Sequence, residues 1–317
     1  MAFLSCPSLI GTITMNPTID VAAQTQSVRP THKLRTFGER EDPGGGGLNV
    51  ARVVRELGGR ALALVLSGGA TGRHLEELLA EDGTPFQPVR IAGRTRISHS
   101  VTDASNGHEY RFVAEGPTVG EAEWRAVLDA IEALDAGWLI ASGSLPPGVP
   151  ADFYHRVAAV AERRNTPFVL DSSGPALTMG LAGRVHLLKS SLTELEMVAG
   201  RALPTRDDQE RAASDLVSAG RVAMVALTLG EHGAMLMLPE GPFWLPALNV
   251  VVNGTAGAGD SFLAGMVMAL GEGRSPMDAF AWGVATGAAA VTAPGTAHPD
   301  RGTVERLRGL VRGPARA

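Results

Sequence analysis

Residues 138–171 read WLIASGSLPPGVPADFYHRVAAVAERRNTPFVLD and contain the pattern that decides the fold. Two short apolar runs, Trp138–Ala141 and Phe168–Asp171, flank a segment, Asp152–Arg163, whose apolar residues recur three or four apart. A strand, a helix and a further strand in this order are typical of a parallel sheet covered by helices. The chain is therefore predicted to have an α/β fold.

The same alternation recurs along the chain from about residue 60 onward. The further predicted strands are Ala61–Leu66, Val185–Leu188 and Ala223–Leu229, and the further predicted helices are Thr71–Glu81, Glu121–Leu134 and Asp207–Ala219. Continuous apolar strands of this kind are buried on both faces, because helices cover both sides of a parallel sheet. Since no shift in composition marks a linker, we expect residues 1–317 to form a single domain.

Two segments interrupt the alternation, at about residues 22–42 and 94–113. In the second segment, two strand-like arms surround the turn-forming residues Ser105–Gly107, and this pattern predicts a hairpin. Because both segments follow strands of the main sheet, we expect them to pair into a small β-sheet that acts as a lid.

The arms of this lid carry more apolar residues than a small sheet can bury alone. They are Ile97, Val101, Phe112 and Val113. We therefore expect a homodimer in which a second copy covers the lid.

The composition excludes several other classes of protein. With 44% hydrophobic and 19% charged residues, the chain has enough apolar material for a large core and does not resemble a disordered protein or a coiled coil. The net charge is −5 and the acids and bases are mixed along the chain, so we expect no nucleic-acid partner.

The sequence also indicates a cytoplasmic protein that does not bind a membrane. The N-terminal segment lacks the positive region of a signal peptide, and the single Cys6 cannot form an internal disulfide. The longest uncharged stretch, Ala279–Ala297, is built from Ala, Gly and Thr rather than Leu and Ile, so it predicts a buried helix.

The most informative window for chemistry is Asn253–Leu270, NGTAGAGDSFLAGMVMAL. Apolar residues after Asp260 share one helical face, so a helix should begin at the glycines, where free backbone N–H groups and the helix dipole form an anion site. Asp260 at this helix start has two interpretations, a helix N-cap or a carboxylate that takes a proton from a hydroxyl attacking a phosphoryl group. Because three glycines allow a phosphate to approach the backbone closely, we favour the second.

A second glycine run, at residues 43–47, precedes another helical pattern. Four consecutive glycines lose much entropy on folding, so some group must come close to this backbone. Asn49 could hydrogen-bond sugar hydroxyls or serve as an ordinary capping residue. Neither glycine run spells a P-loop or a dinucleotide-binding motif, and no serine lies in a G-x-S-x-G motif.

Together, PGGGGLNVARVVRELGG at 43–59 and NGTAGAGDSFLAGM at 253–266 resemble the two signatures of the PfkB/ribokinase family of carbohydrate kinases. Further blocks, in chain order ITMNPTID, HKLRT, SGGATGRHLEELL, EYRF, SGSLPPGV, DSSGPAL and LTLGEHGA, are most similar to family members that phosphorylate fructose 6-phosphate. The resemblance runs from about Gly11 to Leu310. It implies a ribokinase-like parallel sheet sandwiched by helices, with a small β-sheet lid, and transfer of the ATP γ-phosphoryl group to the C1 hydroxyl of fructose 6-phosphate.

The resemblance also implies a role for individual residues. Asp260 matches the catalytic base, and an anion hole is implied for the amides of Gly257, Ala258 and Gly259. Positions that contact the sugar phosphate correspond to Asp20, Gly45, Gly46, Asn49, Arg96 and Ser144. Lys33 resembles a residue that reaches the substrate phosphate across a dimer interface.

On the nucleotide side, the resemblance implies ATP and Mg²⁺ as the cofactors. The matching positions are Lys189, Ser191, Thr228, Gly230 and Gly233. Glu194 matches an acid of the Mg²⁺ and water network. Of the 28 basic residues only Lys33 and Lys189 are lysine, and both fall on positions that face phosphate in the family.

The chain departs from the family at Ser191, where an asparagine is usual, and this shorter side chain predicts altered metal dependence or slower turnover. A tagatose-6-phosphate kinase and a 1-phosphofructokinase are the alternatives within the family, and the lid sequence Gly107–Phe112 favours fructose 6-phosphate over both. A non-catalytic sensor of sugar phosphate and nucleotide is a further alternative, which the retained Asp260 argues against.

Overall fold

The computed structural model describes residues 8–292 and 299–311. Cys6 and the last residues of the uncharged stretch, 293–297, lie outside the described residues. The rest of that stretch belongs to a largely buried helix, Pro276–Thr292. No helix within 8–292 and 299–311 has both the length and the apolar character needed to cross a membrane.

The described residues form two sheets whose strands are numbered along the chain. The strands are β1 Ile10–Thr14, β2 Thr18–Thr25, β3 Thr36–Gly44, β4 Ala61–Ser67, β5 Phe86–Arg90, β6 Arg96–Asp103, β7 Glu109–Val113, β8 Trp138–Ser142, β9 Phe168–Asp171, β10 Val185–Ser191, β11 Val222–Thr228, β12 Ala234–Leu238 and β13 Gly241–Leu245. The main sheet has the order β13-β12-β11-β10-β9-β8-β1-β4-β5. All neighbours from β5 to β11 are parallel, and β12 adds an antiparallel hairpin at one edge. The predicted α/β fold is confirmed.

Helices cover both faces of the main sheet. They are α1 Gly46–Glu56, α2 Gly69–Asp82, α3 Glu121–Ala133, α4 Phe153–Arg163, α5 Gly174–Gly180, α6 Leu192–Ala199, α7 Arg206–Ser218, α8 Ala258–Gly271, α9 Pro276–Thr292 and α10 Arg301–Leu310. Strand β4 shows how both faces are used: Ala63 and Val65 join the core under α1, α2, α8, α9 and α10, whereas Leu64 and Leu66 join the core under α3 to α7. This two-sided burial is why the strands lack an alternating pattern.

The small sheet has the order β3-β2-β6-β7. The hairpin of β6 and β7 confirms the predicted turn near Ser105–Gly107. The first strand of the small sheet, β2, begins at Thr18, before the segment of about 22–42 that was expected to contribute to the lid. It begins there because Thr18 pairs with Arg96 in a parallel register with β6, which sequence periodicity does not show.

The topology places a crevice at the carboxyl ends of the central strands. From β1 the chain runs outward on one side through β4 and β5, and on the other side through β8 to β11. Such a change of direction opens a crevice where ligands bind in α/β proteins. Polar residues end all four strands from β8 to β11, namely Ser142, Asp171, Ser191 and Thr228.

Candidate active site

The glycine turn before α8 forms the centre of the site. Gly257 is the N-cap of α8 and has a φ of 74°, in the left-handed region that glycine adopts without strain. A methyl group on Gly259 would lie 3.0 Å from the Lys189 Nζ, so a side chain there would crowd the ammonium. Asp260 follows in the first turn of α8, where the backbone amides and the dipole of the helix start favour negative charge.

Asp260 lies beside a donor and among other charges. The Asn49 side chain donates a hydrogen bond from Nδ2 to Oδ2 of Asp260, at 2.8 Å. Burial raises the pKa of Asp260 to about 6 and the charge of Asp171 adds to the rise, whereas Asn49 and Lys189 oppose it. A carboxyl group with this pKa is ionised at neutral pH and is still basic enough to accept a proton.

Lys189 lies at the end of β10, behind the glycine turn. Its side chain is only 11% exposed, and its ammonium donates to Oδ1 of Asp171 at 3.0 Å. Burial lowers the pKa of Lys189, but the nearby carboxylates of Asp171, Asp260 and Glu194 outweigh that effect and raise it overall. Lys189 is therefore a fixed positive charge next to the start of α8.

The second glycine run brings the start of α1 close to polar side chains. A methyl group on Gly44 would lie 2.0 Å from Oδ2 of Asp20, and one on Gly46 would lie 2.2 Å from Oγ of Ser142. These contacts identify the groups that come close to this backbone. The capping alternative for Asn49 is wrong, because Gly45 is the N-cap and Asn49 lies inside α1.

Two cavities meet at the glycine turn. A larger cavity of about 880 Å³ is bordered by α8, α9 and the end of β11, and a smaller one of about 360 Å³ lies under the small sheet. Predicted nucleotide or anion-hole residues that line the larger cavity are Thr228, Gly230, Gly233, Ala258 and Gly259. Predicted residues that line the smaller one are Asp20, Gly45, Asn49, Arg96, Gly257 and Asp260. Thr255 borders both cavities and Asp260 borders the smaller one, so molecules in the two cavities would approach each other near the start of α8.

The smaller cavity carries charges of both signs. Burial raises the pKa of Asp20, and the guanidinium groups of Arg111 and Arg96 offset part of that rise. Arg96 donates to the backbone carbonyls of Ala114, at 2.7 Å, and of Asn16, at 2.8 Å. Both carbonyls lie where the chain passes between the main sheet and the small sheet, so Arg96 holds these two connections in place. A guanidinium has five N–H donors; the Nε–H of Arg96 is buried, so one N–H on each terminal nitrogen is left for a ligand.

Six predicted site residues border neither cavity; they are Lys33, Gly46, Ser144, Lys189, Ser191 and Glu194. Gly46 and Lys189 lie directly behind the lining, as described above. Lys33 is exposed in the connection between β2 and β3, and Ser144 is exposed and accepts a hydrogen bond from Asn16 at 3.4 Å. Within this one chain, the structure does not bring Lys33 to the site.

Ser191 and Glu194 bind each other at the start of α6. The Ser191 hydroxyl accepts from the Glu194 amide at 3.4 Å, and a Glu194 carboxylate oxygen accepts from the Ser191 amide at 2.7 Å. This reciprocal pair is a capping box, so the serine that replaces the family's asparagine has a structural role.

We expect Ser191→Ala to reduce the free energy of unfolding by about 1 kcal/mol, because the helix loses its N-cap. Ser191→Asn should retain most of the stability, since asparagine is an equally good N-cap residue. Urea unfolding of the three proteins measures the difference. Equal stability of the alanine variant and the parent would contradict the capping role.

Sequence reasoning missed two groups that the structure places here. Asp171 is the ion-pair partner of Lys189, and Ser142 contacts the start of α1. Both end parallel strands of the main sheet, and that position was the available signal. The apolar lining of the larger cavity was also missed; it includes Leu248, Val250, Phe262, Val284 and Ala288.

Comparison with known proteins identifies this arrangement. The pfkB family of carbohydrate kinases matches residues 9–301. The chain belongs to this family. The PfkB kinases transfer phosphoryl groups to sugars, and two adjoining cavities with Asp260 in the smaller one agree with such a reaction.

Individual relatives narrow the position within the PfkB family. ATP-dependent 6-phosphofructokinase isozyme 2 from Mycobacterium tuberculosis is 41% identical over 298 residues, which cover 93% of this chain and 88% of the relative. The isozyme 2 of Escherichia coli K12 is 37% identical over 296 residues, or 92% and 96% of the two chains. A 1-phosphofructokinase from Bacillus subtilis is less similar, at 27% over 282 residues, or 89% and 92%.

The fold also matches solved structures of Escherichia coli phosphofructokinase-2. One is described as a complex with fructose-6-phosphate and another as a tetrameric inhibited form. Each has a TM-score of 0.91, 34% identity, and coverage of 96% of this chain and 99% of that chain.

Proposed function

We propose that this PfkB kinase transfers the γ-phosphoryl group of ATP to the C1 hydroxyl of fructose 6-phosphate, giving fructose 1,6-bisphosphate and ADP. The observation that carries the proposal is Asp260, a carboxylate with a pKa of about 6 that lines the smaller cavity at the start of α8, a helix start that also borders the larger cavity. The identities of 41% and 37% to 6-phosphofructokinases support the choice of acceptor. In this proposal residues 1–317 form one kinase domain, and the small sheet is its lid.

In the reaction, Asp260 accepts the proton of the C1 hydroxyl while that oxygen forms a bond to the γ-phosphorus. The bond from this phosphorus to the β,γ-bridging oxygen breaks, and ADP leaves with the electron pair. The amides of Gly257, Ala258 and Gly259, together with Lys189, neutralise the charge on the phosphoryl oxygens. Thr228, Gly230 and Gly233 line the nucleotide side of the reaction.

The residues present agree with a Mg²⁺ ion that is held mainly by phosphates and water. Residues 8–292 and 299–311 contain no group of three or more His, Cys, Asp or Glu side chains that could hold a metal alone. Mg²⁺ commonly binds one or two carboxylates together with nucleotide phosphates and keeps several waters. Glu194 would supply the carboxylate, and the bound ion would neutralise phosphate charge as a Lewis acid.

On the acceptor side, the charges favour a sugar that is already phosphorylated. Asp20 and Asn49 can bind hydroxyl groups, while Arg96 and Arg111 offer guanidinium groups to a phosphate. Ser144 and Gly46 complete the rim in this proposal. Lys33 would reach the phosphate from a second copy of the chain.

A coupled assay of ADP release tests the function and its rivals. The acceptors are fructose 6-phosphate, tagatose 6-phosphate, fructose 1-phosphate and unphosphorylated sugars. The highest kcat/KM with fructose 6-phosphate is expected. A preference for tagatose 6-phosphate or fructose 1-phosphate would indicate the corresponding kinase, and binding of ATP and sugar phosphate without turnover would indicate a sensor. The cytoplasmic location stays a prediction.

We further propose that the lid is covered by a second copy of the chain. Opposite residues in an antiparallel pair share a face, and β6 pairs Val101 with Tyr110 and His99 with Phe112. This places an apolar face on the side of the sheet opposite Val113, which instead lines the smaller cavity. The Phe112 side chain on that face is 62% exposed in the single chain.

Phe112→Asp should therefore convert the homodimer to a monomer, because it adds a charge to the buried interface. Light scattering after gel filtration should show the mass of one chain, 33.0 kDa, instead of about twice that value. Leu310→Asp is a matched control, since Leu310 is 58% exposed on α10, outside the lid. A parent protein that is already monomeric would refute the dimer, and a tetramer would require a second interface.

A further inference from the structure

Asp171 is a buried carboxylate that the reaction scheme above does not use. It ends β9, and its side chain is only 9% exposed. Oδ1 accepts a hydrogen bond from the Lys189 ammonium and Oδ2 accepts one from the Ser142 hydroxyl, each at 3.0 Å. Both carboxylate oxygens therefore have a buried partner.

The two partners of Asp171 contact the two glycine runs. Ser142 contacts the start of α1 on the sugar side, where a methyl group on Gly46 would lie 2.2 Å from its hydroxyl oxygen. Lys189 contacts the start of α8 on the nucleotide side, where a methyl group on Gly259 would lie 3.0 Å from Nζ. Asp171 thus joins the backbone that faces the acceptor to the backbone that faces the donor.

A second connection joins the same two helices on the side of the reacting groups. Asn49 of α1 donates to Asp260 of α8, at 2.8 Å. Three hydrogen bonds and the close approaches of Ser142 to Gly46 and of Lys189 to Gly259 form a closed ring from α1 through Asp171 to α8, and back through Asp260 and Asn49. A ring of this kind restricts the distance between the two helix starts more than either connection alone.

We propose that Asp171 is a positioning residue for phosphoryl transfer, which sets the spacing of the two helix starts and keeps the Lys189 ammonium directed away from Asp260. The inference rests on the proposed function, because it assigns the donor and acceptor to the two sides of Asp260. Without the Asp171 charge, the Lys189 ammonium would have Asp260 as a competing partner. The base and the phosphate-neutralising cation would then pair with each other.

The charges that face Asp260 determine the sign of the effect. Asp171 and Asp20 raise the pKa of Asp260, whereas the Asn49 hydrogen bond and the Lys189 charge lower it. Removal of the Asp171 charge takes away one of the charges that raise the pKa of Asp260. It also frees the Lys189 ammonium to approach Asp260. Both changes lower the pKa of Asp260.

Asp171→Asn is the direct test, because it keeps the shape and one acceptor oxygen but removes the charge. With fructose 6-phosphate as acceptor, we expect kcat to fall about 10²-fold, the order of loss that a misplacement of about 1 Å causes. The fall in kcat should exceed any rise in KM. At acid pH kcat falls as Asp260 becomes protonated, and this fall is the acid limb of the kcat–pH profile. In Asp171→Asn the acid limb should lie at lower pH than in the parent.

Ser172→Ala is the matched control, since its buried hydroxyl adjoins Asp171 but donates to the Gly143 carbonyl, at 3.0 Å. It removes a neighbouring buried hydrogen bond without touching the ring, so its acid limb should coincide with that of the parent. A merely structural role of Asp171 predicts that Asp171→Asn behaves likewise, with a lower melting temperature and an unmoved acid limb. That result would overturn the proposal.

Ser142→Ala provides a second test if Asp171→Asn does not fold. It removes the connection to α1 but keeps the charge on Asp171, so kcat should fall while the acid limb stays in place. An unchanged kcat in Ser142→Ala would overturn the ring. Failure of the proposed function is distinguishable, because the parent would then show no turnover of fructose 6-phosphate.

Discussion

Asp260→Asn should lower kcat for fructose 6-phosphate by about 10²- to 10⁴-fold, the usual contribution of a positioned general base. Asparagine preserves the size of the side chain but cannot accept the proton that the C1 hydroxyl must lose. The glycine amides, Lys189 and both cavities remain, so ATP binding measured by calorimetry should change little. The expected pattern is a loss in kcat with a much smaller change in nucleotide affinity.

The pH profile identifies the base independently of the size of that loss. Burial raises the pKa of Asp260 to about 6, and only its ionised form accepts a proton, so kcat should fall as the pH drops through that value. The residual activity of Asp260→Asn should lack this acid limb. Asp129→Asn is the matched control, because Asp129 is an exposed aspartate on α3. This variant should keep the kcat of the parent and the acid limb of its pH profile. Near-parental turnover of Asp260→Asn would refute the assigned base.

The body of the fold was predictable because its signals are local. Each strand of the central sheet is an apolar run and each helix repeats every three or four residues, so β9 was predicted at its observed bounds. The start of β2 was not predictable in this way. Its first residue, Thr18, is defined by pairing with Arg96, which is far away in sequence.

The site was predictable at the positions where only glycine allows another group to come close to the backbone. The runs before α1 and α8 stood out because four and three glycines are costly without a close approach, and both turned out to line the cavities. The Ser191–Glu194 capping box was also readable, since the sequence S-L-T-E has the S-x-x-E spacing. The resemblance drew attention to metal binding at these residues instead.

The connections among site residues could not be read from the sequence. Asn49 and Asp260 are 211 positions apart and Ser142 and Asp171 are 29 apart, so only the order of the strands brings them together. The sequence therefore predicted that Asn49 binds a sugar hydroxyl, but it did not predict the hydrogen bond from Asn49 to Asp260. The same holds for Lys189, whose pairing with Asp171 depends on β9 and β10 being neighbours.

Lys189→Met should lower kcat by about 10²- to 10³-fold, the range seen when one group that stabilises transition-state charge is removed. Methionine is unbranched and about as long as the aliphatic stem of lysine, so it fills the same space without the charge. The variant leaves the carboxylates of Asp171 and Asp260 without their shared cation. Stability should therefore also fall, because a partly buried charge loses its partner.

The acid limb of Lys189→Met should move in the opposite direction to that of Asp171→Asn. Lys189 lowers the pKa of Asp260, so its removal raises that pKa above about 6, and kcat begins to fall at a higher pH. Lys33→Met is the control, since it removes the only other lysine, which lies exposed in the lid. Its effect should be confined to the KM for the sugar phosphate, with the acid limb in place. A loss of stability does not move the acid limb of the kcat–pH profile. Opposite shifts of that limb in Lys189→Met and Asp171→Asn can therefore arise only if both charges act on the same carboxylate.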